Sequence, residues 1–135
     1  PTPLLLNEET IRVYAGFRDK EGVSRIGYVD LDAANPRIVK AIAREPVLDI
    51  GRAGCFDDNG VILGDIFQHN DCLRMYYVGF QLVKRVKFLA FTGVAESRDQ
   101  GESFIRLSEA PVLERTAGAT TIRAIHSARY EQGRW

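Results

Sequence analysis

The fold of this chain follows from the stretch Ile11-Arg12-Val13-Tyr14, which recurs 62 residues later as Leu73-Arg74-Met75-Tyr76. Both copies close with a similar phrase 65 residues apart, Glu45-Pro46-Val47-Leu48-Asp49 and then Ala110-Pro111-Val112-Leu113-Glu114. Self-similarity at a fixed spacing indicates a repeat architecture. Repeats of this size that hold four strands each are typical of the blades of a β-propeller.

The residues between the repeated phrases have the pattern of β-strands. Runs rich in Val, Ile, Tyr and Phe are bounded by turn sequences such as Lys20-Glu21-Gly22 and Asp58-Asn59-Gly60. Pro36 interrupts the best helical candidate, Asp32–Arg44, so we expect one short helical turn there at most. We predict nine strands and the start of a tenth, at Thr2–Leu6, Thr10–Phe17, Ser24–Asp30, Val39–Ala43, Val61–Gln68, Leu73–Phe80, Lys87–Ala95, Phe104–Leu107, Thr121–Tyr130 and a stub at Arg134.

These strands predict an all-β, β-propeller-like fold: two four-stranded antiparallel blades plus part of a third, as in a partial five-bladed propeller. We expect a single domain with blade one at 1–50, blade two at 55–115 and the start of blade three at 119–135. The third unit opens at Ile122, because Ala128–Trp135 resembles the strand, turn and strand of Ile66–Leu73.

A turn motif between the third and fourth strands of the second unit agrees with this fold. Ser97-Arg98-Asp99-Gln100-Gly101-Glu102-Ser103-Phe104 fits the S-x-D-x-G-x-[ST]-aromatic pattern of an Asp-box. Asp99 can accept hydrogen bonds from the turn, Gly101 can take positive φ, and Phe104 can anchor the turn on the sheet. We therefore expect Asp99 to have a structural role.

Composition places limits on the function. The chain has 135 residues, 45% hydrophobic and 27% charged, with 18 Lys and Arg against 18 Asp and Glu, which excludes a disordered tail and argues against nucleic-acid binding. We expect no membrane span and no signal peptide. Cys55 and Cys72 predict buried free thiols, with one disulfide as the alternative, and favour a cytoplasmic location. His69 and His126 lack partners at ligand spacing, so no metal and no cofactor are expected.

Several further stretches carry a family resemblance. They are Pro3-Leu4-Leu5-Leu6, Ile11–Asp19, Ser24-Arg25-Ile26, Gly54–Val61, Met75–Gly79 and Pro111-Val112-Leu113. Together they resemble the five-bladed β-propeller glycoside hydrolases, the arabinanase, xylosidase and invertase-like superfamily. The resemblance covers about two and a half blades of such a protein.

The resemblance implies a glycosidase site of three carboxylates, one from the innermost strand of each of the first three blades. The blade-one carboxylate is expected at or before Pro1. The blade-two carboxylate maps to Asp57 or Asp58, although a plain turn role is open because Asn59-Gly60 follows. The third innermost strand, Thr121–Ala128, has no acid.

Five further residues are candidates for substrate binding. Arg18 and Asp19 have the uncharged equivalents Gln81 and Leu82 in the second unit, which points to function, while a surface ion pair is the alternative. Arg25 follows Ser24 at the head of a strand, a position from which it can line the expected funnel. Arg123 and His126 lie on the third innermost strand, where His126 is either a sugar ligand or a hydrogen-bonded core residue.

The expected function is thus glycoside hydrolase-like: the chain acts on or binds a carbohydrate, with a catalytic set that is incomplete in this chain. The alternative is a non-catalytic module that binds a glycan or a protein. Open blade faces and sheet edges predict a homo-oligomer, with a dimer favoured.

Overall fold

The computed structural model describes residues 1–129 and 131–134. Tyr130 and Trp135, the last residues of the predicted strand Thr121–Tyr130 and of the third repeat copy, lie outside the described residues. In the described part the chain is all-β, built from two antiparallel sheets. No helix long and apolar enough to cross a membrane occurs in that part.

The first sheet contains strands β1 to β4 in sequential order. Their bounds are Thr2–Asn7, Thr10–Arg18, Ser24–Asp32 and Val39–Ile42. Each strand pairs antiparallel with the next, as in the four-stranded meander of a blade. The four strands predicted for blade one are confirmed.

The second sheet repeats this arrangement with strands β5 to β8. Their bounds are Val61–His69, Cys72–Leu82, Phe88–Ser97 and Ile105–Arg106. A ninth strand, β9 at Ile122–Arg123, pairs in parallel with β7. The predicted all-β fold of two four-stranded antiparallel blades and part of a third is therefore confirmed.

The prediction that a strand runs on from Thr121 is wrong in its extent. After Arg123 the chain leaves the edge of β7 and crosses over the sheet, where the Ile125 amide donates to Thr92 Oγ1 at 3.1 Å. Further along, the Ala128 amide donates to Asp65 Oδ2 at 2.8 Å. Side chains of the second sheet therefore take up amides that a longer strand would have paired with backbone carbonyls.

The sequence repeat is also a repeat in space. In the first unit Leu48 bridges to Ile26 of β3, and in the second Leu113 bridges to Thr92 of β7. The Val47 amide donates to Ile26 O at 2.9 Å, and the Val112 amide donates to Thr92 O at 2.8 Å. The shared phrase Pro-Val-Leu thus closes both units on the middle of their third strand.

The hydrophobic core lies where β5 packs over one face of the first sheet. Tyr14 and Ile26 from the first sheet and Val61, Met75 and Tyr77 from the second are all fully buried. These residues belong to one contiguous cluster. Because the two sheets share this core, the position of each sheet depends on its packing against the other.

The Asp-box turn joins β7 to β8 and docks on the first sheet. Ser97 Oγ donates to Asp99 Oδ1 and Ser103 Oγ to Asp99 Oδ2, both at 2.6 Å. Gly101 has φ +82°, and its carbonyl accepts from Tyr14 Oη at 3.1 Å. The expected structural role of this turn is confirmed.

Arg12 fastens the same turn to the first sheet. Its guanidinium donates to Asp30 Oδ1 at 2.7 Å and Asp30 Oδ2 at 2.8 Å, and pairs with Glu102 Oε1 at 2.6 Å. It also lies 3.5 Å from the ring centroid of Tyr28. The equivalent residue of the second unit, Arg74, pairs with Glu96 in the same cross-strand position.

Candidate functional site

A continuous chain of charged residues connects the two blades at one end of the sheets. It includes the tip of the β2–β3 hairpin, the segment 49–60 before β5, and β8. In order, the linked residues are Asp19, Arg25, Asp49, Arg106 and Asp57, and the contact between Asp49 and Arg106 runs through the Asp49 backbone carbonyl. Three of these five residues, Asp19, Arg25 and Asp57, are candidates from the sequence.

Asp57 is fully buried at the inner end of this network. Its Oδ2 accepts from Arg106 Nε at 2.7 Å and from Tyr77 Oη at 3.1 Å. Its Oδ1 has no hydrogen-bond partner among the described residues. Burial, together with the negative charge of Asp57, raises the pKa of Tyr77, so Tyr77 stays a hydrogen-bond donor.

Two glycines make room for the Asp57 side chain. A Cβ at Gly51 would overlap Asp57 Oδ1 and lie 2.8 Å from Asp57 Cγ. A Cβ at Gly79, on β6, would overlap Asp57 Cβ and lie 2.7 Å from Phe56 Cε2. The Asp57 side chain is therefore packed against the backbone from two sides, at its carboxylate by Gly51 and at its Cβ by Gly79, which fixes its position.

Asp58 has the turn role that Asn59-Gly60 suggests. Its Oδ2 accepts from the Gly54 amide at 2.8 Å, and its Oδ1 is buried without a partner in the described part of the chain. Asn59 Oδ1 accepts from the Leu82 amide at 2.9 Å and ties the same turn to β6. The catalytic assignment of Asp57 and Asp58 stays a prediction.

Asp19 pairs with Arg25, not with the adjacent Arg18. The Arg25 guanidinium donates to Asp19 Oδ2 and, through Nε, to Asp49 Oδ1 at 2.7 Å. The Val23 amide also donates to Asp19 Oδ1 at 2.8 Å. Burial opposes ionisation of Asp19, yet these hydrogen bonds outweigh it and lower its pKa.

A cavity of about 260 Å³ opens beside this ion pair. Phe17 forms part of its wall; the ring lies over Gly27, where an added Cβ would be 3.3 Å from two ring carbons. Arg18 is exposed at the cavity, and no hydrogen bond or ion pair of its side chain is found among the described residues. The lining residues are Phe17, Arg18, Asp19, Arg25, Ile26, Gly27, Tyr28, Ile42, Ala43, Arg44, Glu45 and Pro46.

The sequence analysis missed two residues of this network, Asp49 and Arg106, and Arg106 holds the central place. It links the two halves of the network, because its Nη2 donates to the Asp49 carbonyl while its Nε binds Asp57. Arg106 lies opposite Ala95 on β7, and the equivalent cross-strand position of the first sheet is Ile42 opposite Val29. Arg106 is thus a charged residue whose equivalent in the other repeat is uncharged, as Arg18 and Asp19 are. The same comparison of the two repeats could have identified it.

Arg123 and His126 are not part of this cavity. Arg123 lies on β9 at the edge of the second sheet, where its Nη1 donates to the Glu114 carbonyl at 3.0 Å. His126 is exposed on the segment that follows. Their predicted role in sugar binding stays a prediction, and the structure does not bring them together with Arg18, Asp19 and Arg25.

The chain contains two cysteines, and both are buried free thiols. Cys55 and Cys72 form no disulfide. Burial, with the negative charge of Glu96 nearby, raises the pKa of Cys72, so its thiol stays protonated. No group of three His, Cys, Asp or Glu in the described residues is arranged to hold a metal ion.

Comparison with known proteins gives relatives but no function. No family model matches the chain. Two uncharacterised proteins of Mycobacterium tuberculosis, from strains CDC 1551 / Oshkosh and ATCC 25618 / H37Rv, are each 36% identical to it over 113 residues. The match covers 84% of this chain, and the chain spans about 38% of the length of each relative.

Proposed function

We propose that this chain is the carbohydrate-binding portion of a glycoside hydrolase-like β-propeller, and that the cavity beside Phe17 holds a single sugar ring. The observation that carries this proposal is the combination in one cavity of an exposed aromatic ring and several charged hydrogen-bonding groups. A mostly apolar wall with a few fixed polar groups is the usual form of a small-molecule site. The volume of about 260 Å³ suits one ring rather than a long oligosaccharide.

The network behind the cavity supports binding by a rigid wall. Arg25 is held by two carboxylates, those of Asp19 and Asp49. Asp49 is in turn held through its carbonyl by Arg106, which pairs with buried Asp57. A ligand that contacts Arg25 or Asp19 therefore meets groups whose rotamers are already fixed, so binding orders few side chains.

Binding is favoured over hydrolysis by the burial of Asp57. A catalytic carboxylate must touch the substrate, whereas Asp57 is fully buried and both its charge and one of its oxygens are engaged by Arg106. Hydrolysis is kept as the second candidate for one reason. Asp57 Oδ1 and Asp58 Oδ1 are buried acceptors without a partner among the described residues, such atoms are rare in native structures, and a catalytic role is one explanation for them.

The binding proposal is tested by amide NMR with arabinose, xylose, fructose and glucuronate in turn. We expect saturable shifts at Phe17, Gly27 and Ala43 for at least one sugar, and their loss in Phe17→Ala. Leu82→Ala, which removes an exposed apolar side chain from the second sheet, is the matched control and should bind as the wild type does. Saturable shifts that survive Phe17→Ala, or none with any sugar, would reject this site.

Hydrolysis is tested with aryl arabinosides, xylosides and fructosides. If the second candidate is correct, the wild type releases product and Asp58→Asn, which keeps an acceptor for the Gly54 amide, does not. Equal background rates in both proteins would leave binding as the only function of this site.

We also propose a cytoplasmic location. Cys55 and Cys72 are buried and unpaired, as expected for a protein kept in a reducing compartment. The test is to purify the protein without reductant, unfold it and label its thiols. We expect both cysteines to be labelled, and a disulfide between them would contradict the proposed location.

A further inference from the structure

The charged groups at the cavity beside Phe17 are unequally paired. Three arginines line it, Arg18, Arg25 and Arg44, against the two carboxylates of Asp19 and Glu45. Arg25 is neutralised by Asp19 and Asp49. With Asp49 counted, three arginines stand against three carboxylates, but Arg18 and Arg44 are the two arginines that have no carboxylate partner among the described residues, and Glu45 is the one lining carboxylate that has no arginine partner there.

These remaining groups are also the accessible ones. Arg18, Arg44 and Glu45 are all exposed, and none has a side-chain hydrogen bond or ion pair with another residue in the described part. A guanidinium presents a planar fork of donors that fits a carboxylate or phosphate in two parallel hydrogen bonds. The guanidinium groups of Arg18 and Arg44 lie at a cavity of about the size of one sugar ring. They therefore favour a sugar that carries an anionic substituent.

We propose that this cavity binds a sugar that carries an anionic group, a carboxylate or a phosphate, with Arg18 and Arg44 contacting the anion and Phe17 contacting the ring. This inference rests on the proposed carbohydrate-binding function and names its ligand class. Neutral sugars meet the same apolar wall but leave both guanidinium groups to water. Anionic sugars should therefore bind more tightly, and their advantage should shrink as salt screens exposed charges.

The test is isothermal titration at pH 7 and low salt with glucose, glucuronate and glucose 6-phosphate. We expect at least one of the two anionic sugars to bind at least about tenfold more tightly than glucose, as charge-assisted hydrogen bonds would give. The stronger of the two shows whether the site is built for a carboxylate or a phosphate. Raising the salt to 0.5 M should bring the anionic sugars close to glucose.

Four variants locate the effect. Arg18→Ala and Arg44→Ala should each reduce the preference over glucose several-fold, and Glu45→Gln should increase it because it removes the one opposing free charge. Arg37→Ala is the matched control, since Arg37 is an exposed arginine in the turn before β4, at the other end of β3. It should keep the wild-type preference.

The outcomes separate this inference from the function on which it rests. Equal affinity for all three sugars, or a preference that Arg18→Ala and Arg44→Ala leave intact, overturns the anionic class while carbohydrate binding stands. No binding of any sugar by a protein with a normal unfolding curve overturns both.

Discussion

At the scale of single residues, the position of Asp57 depends on two glycines, Gly51 and Gly79. A search of the sequence for chemically reactive side chains does not identify them, because glycine has no side chain. Gly51 precedes Asp57 by six positions, and its amide donates to the Asp57 carbonyl at 3.0 Å. The Asp57 carboxylate then folds back against the Gly51 Cα. The carboxylate is held between the Gly51 backbone on one side and the Arg106 guanidinium on the other, so its orientation is fixed.

The first prediction concerns this contact. Gly51→Ala should lower the free energy of unfolding by about 1–3 kcal/mol, because the new methyl group overlaps Asp57 Oδ1 in a region with no room to yield. Urea denaturation measures the change. Gly118→Ala is the matched control: no atom lies within 4 Å of its Cβ position, so it should be neutral or stabilising by less than about 1 kcal/mol. Equal effects of the two substitutions would contradict the packing described for Asp57.

At the scale of elements, the Asp99 carboxylate accepts hydrogen bonds within the turn between β7 and β8. Burial opposes ionisation of Asp99, yet hydrogen bonds from Ser103 and Ser97 outweigh it and lower the pKa of Asp99 to about 2. The folded state therefore binds the Asp99 proton more weakly than the unfolded chain, where the pKa is about 3.9. This contribution to stability is fully present above about pH 5, and it is lost progressively as the pH falls below the unfolded pKa and through about 2.

The second prediction is the pH dependence that follows. Asp99→Asn should destabilise the protein at pH 7, and the difference from the wild type should shrink between pH 4 and pH 2, because the wild type loses its carboxylate there. Urea titrations at several pH values measure both proteins. Asp71→Asn, in the exposed β5–β6 turn, is the control and should follow the wild-type curve. A difference that is constant with pH would show that the charge of Asp99 does not hold the turn.

Comparison of particular elements shows what a sequence can predict here. β2 and β3 were predictable because alternation of apolar residues between clear turns specifies a half-buried strand by local pattern alone. The strand after Thr121 was not, because Thr92 and Asp65 of another unit take up its amides. In the site, the turn at Asp58 was visible in Asn59-Gly60, whereas the pair of Asp57 with Arg106 joins residues 49 positions apart and needs the fold.

At the scale of the whole molecule, the first sheet has an unprotected edge at β4. All four residues of β4 are exposed, with Val39 at 54% and Ile42 at 62%. Lys40, the one charged residue of the strand, is turned back on the sheet, where its Nζ donates to Thr10 Oγ1 at 2.9 Å. The strand therefore lacks the outward charge that usually keeps an edge from pairing with another chain.

This edge sets the last prediction, that the chain forms a dimer by antiparallel pairing of β4 with β4 of a second copy. Such pairing is self-complementary and closes with twofold symmetry, so it stops at two chains. Sedimentation equilibrium at micromolar concentration should give twice the mass of one chain, and Val39→Lys should return it to the monomer. Ile105→Lys, on β8 of the second sheet, removes an apolar residue that is even more exposed than Val39 and should leave the dimer intact. A monomeric wild type would contradict the predicted dimer. Dissociation by Ile105→Lys but not by Val39→Lys would place the contact on another surface, because pairing through β4 predicts that only Val39→Lys dissociates the dimer.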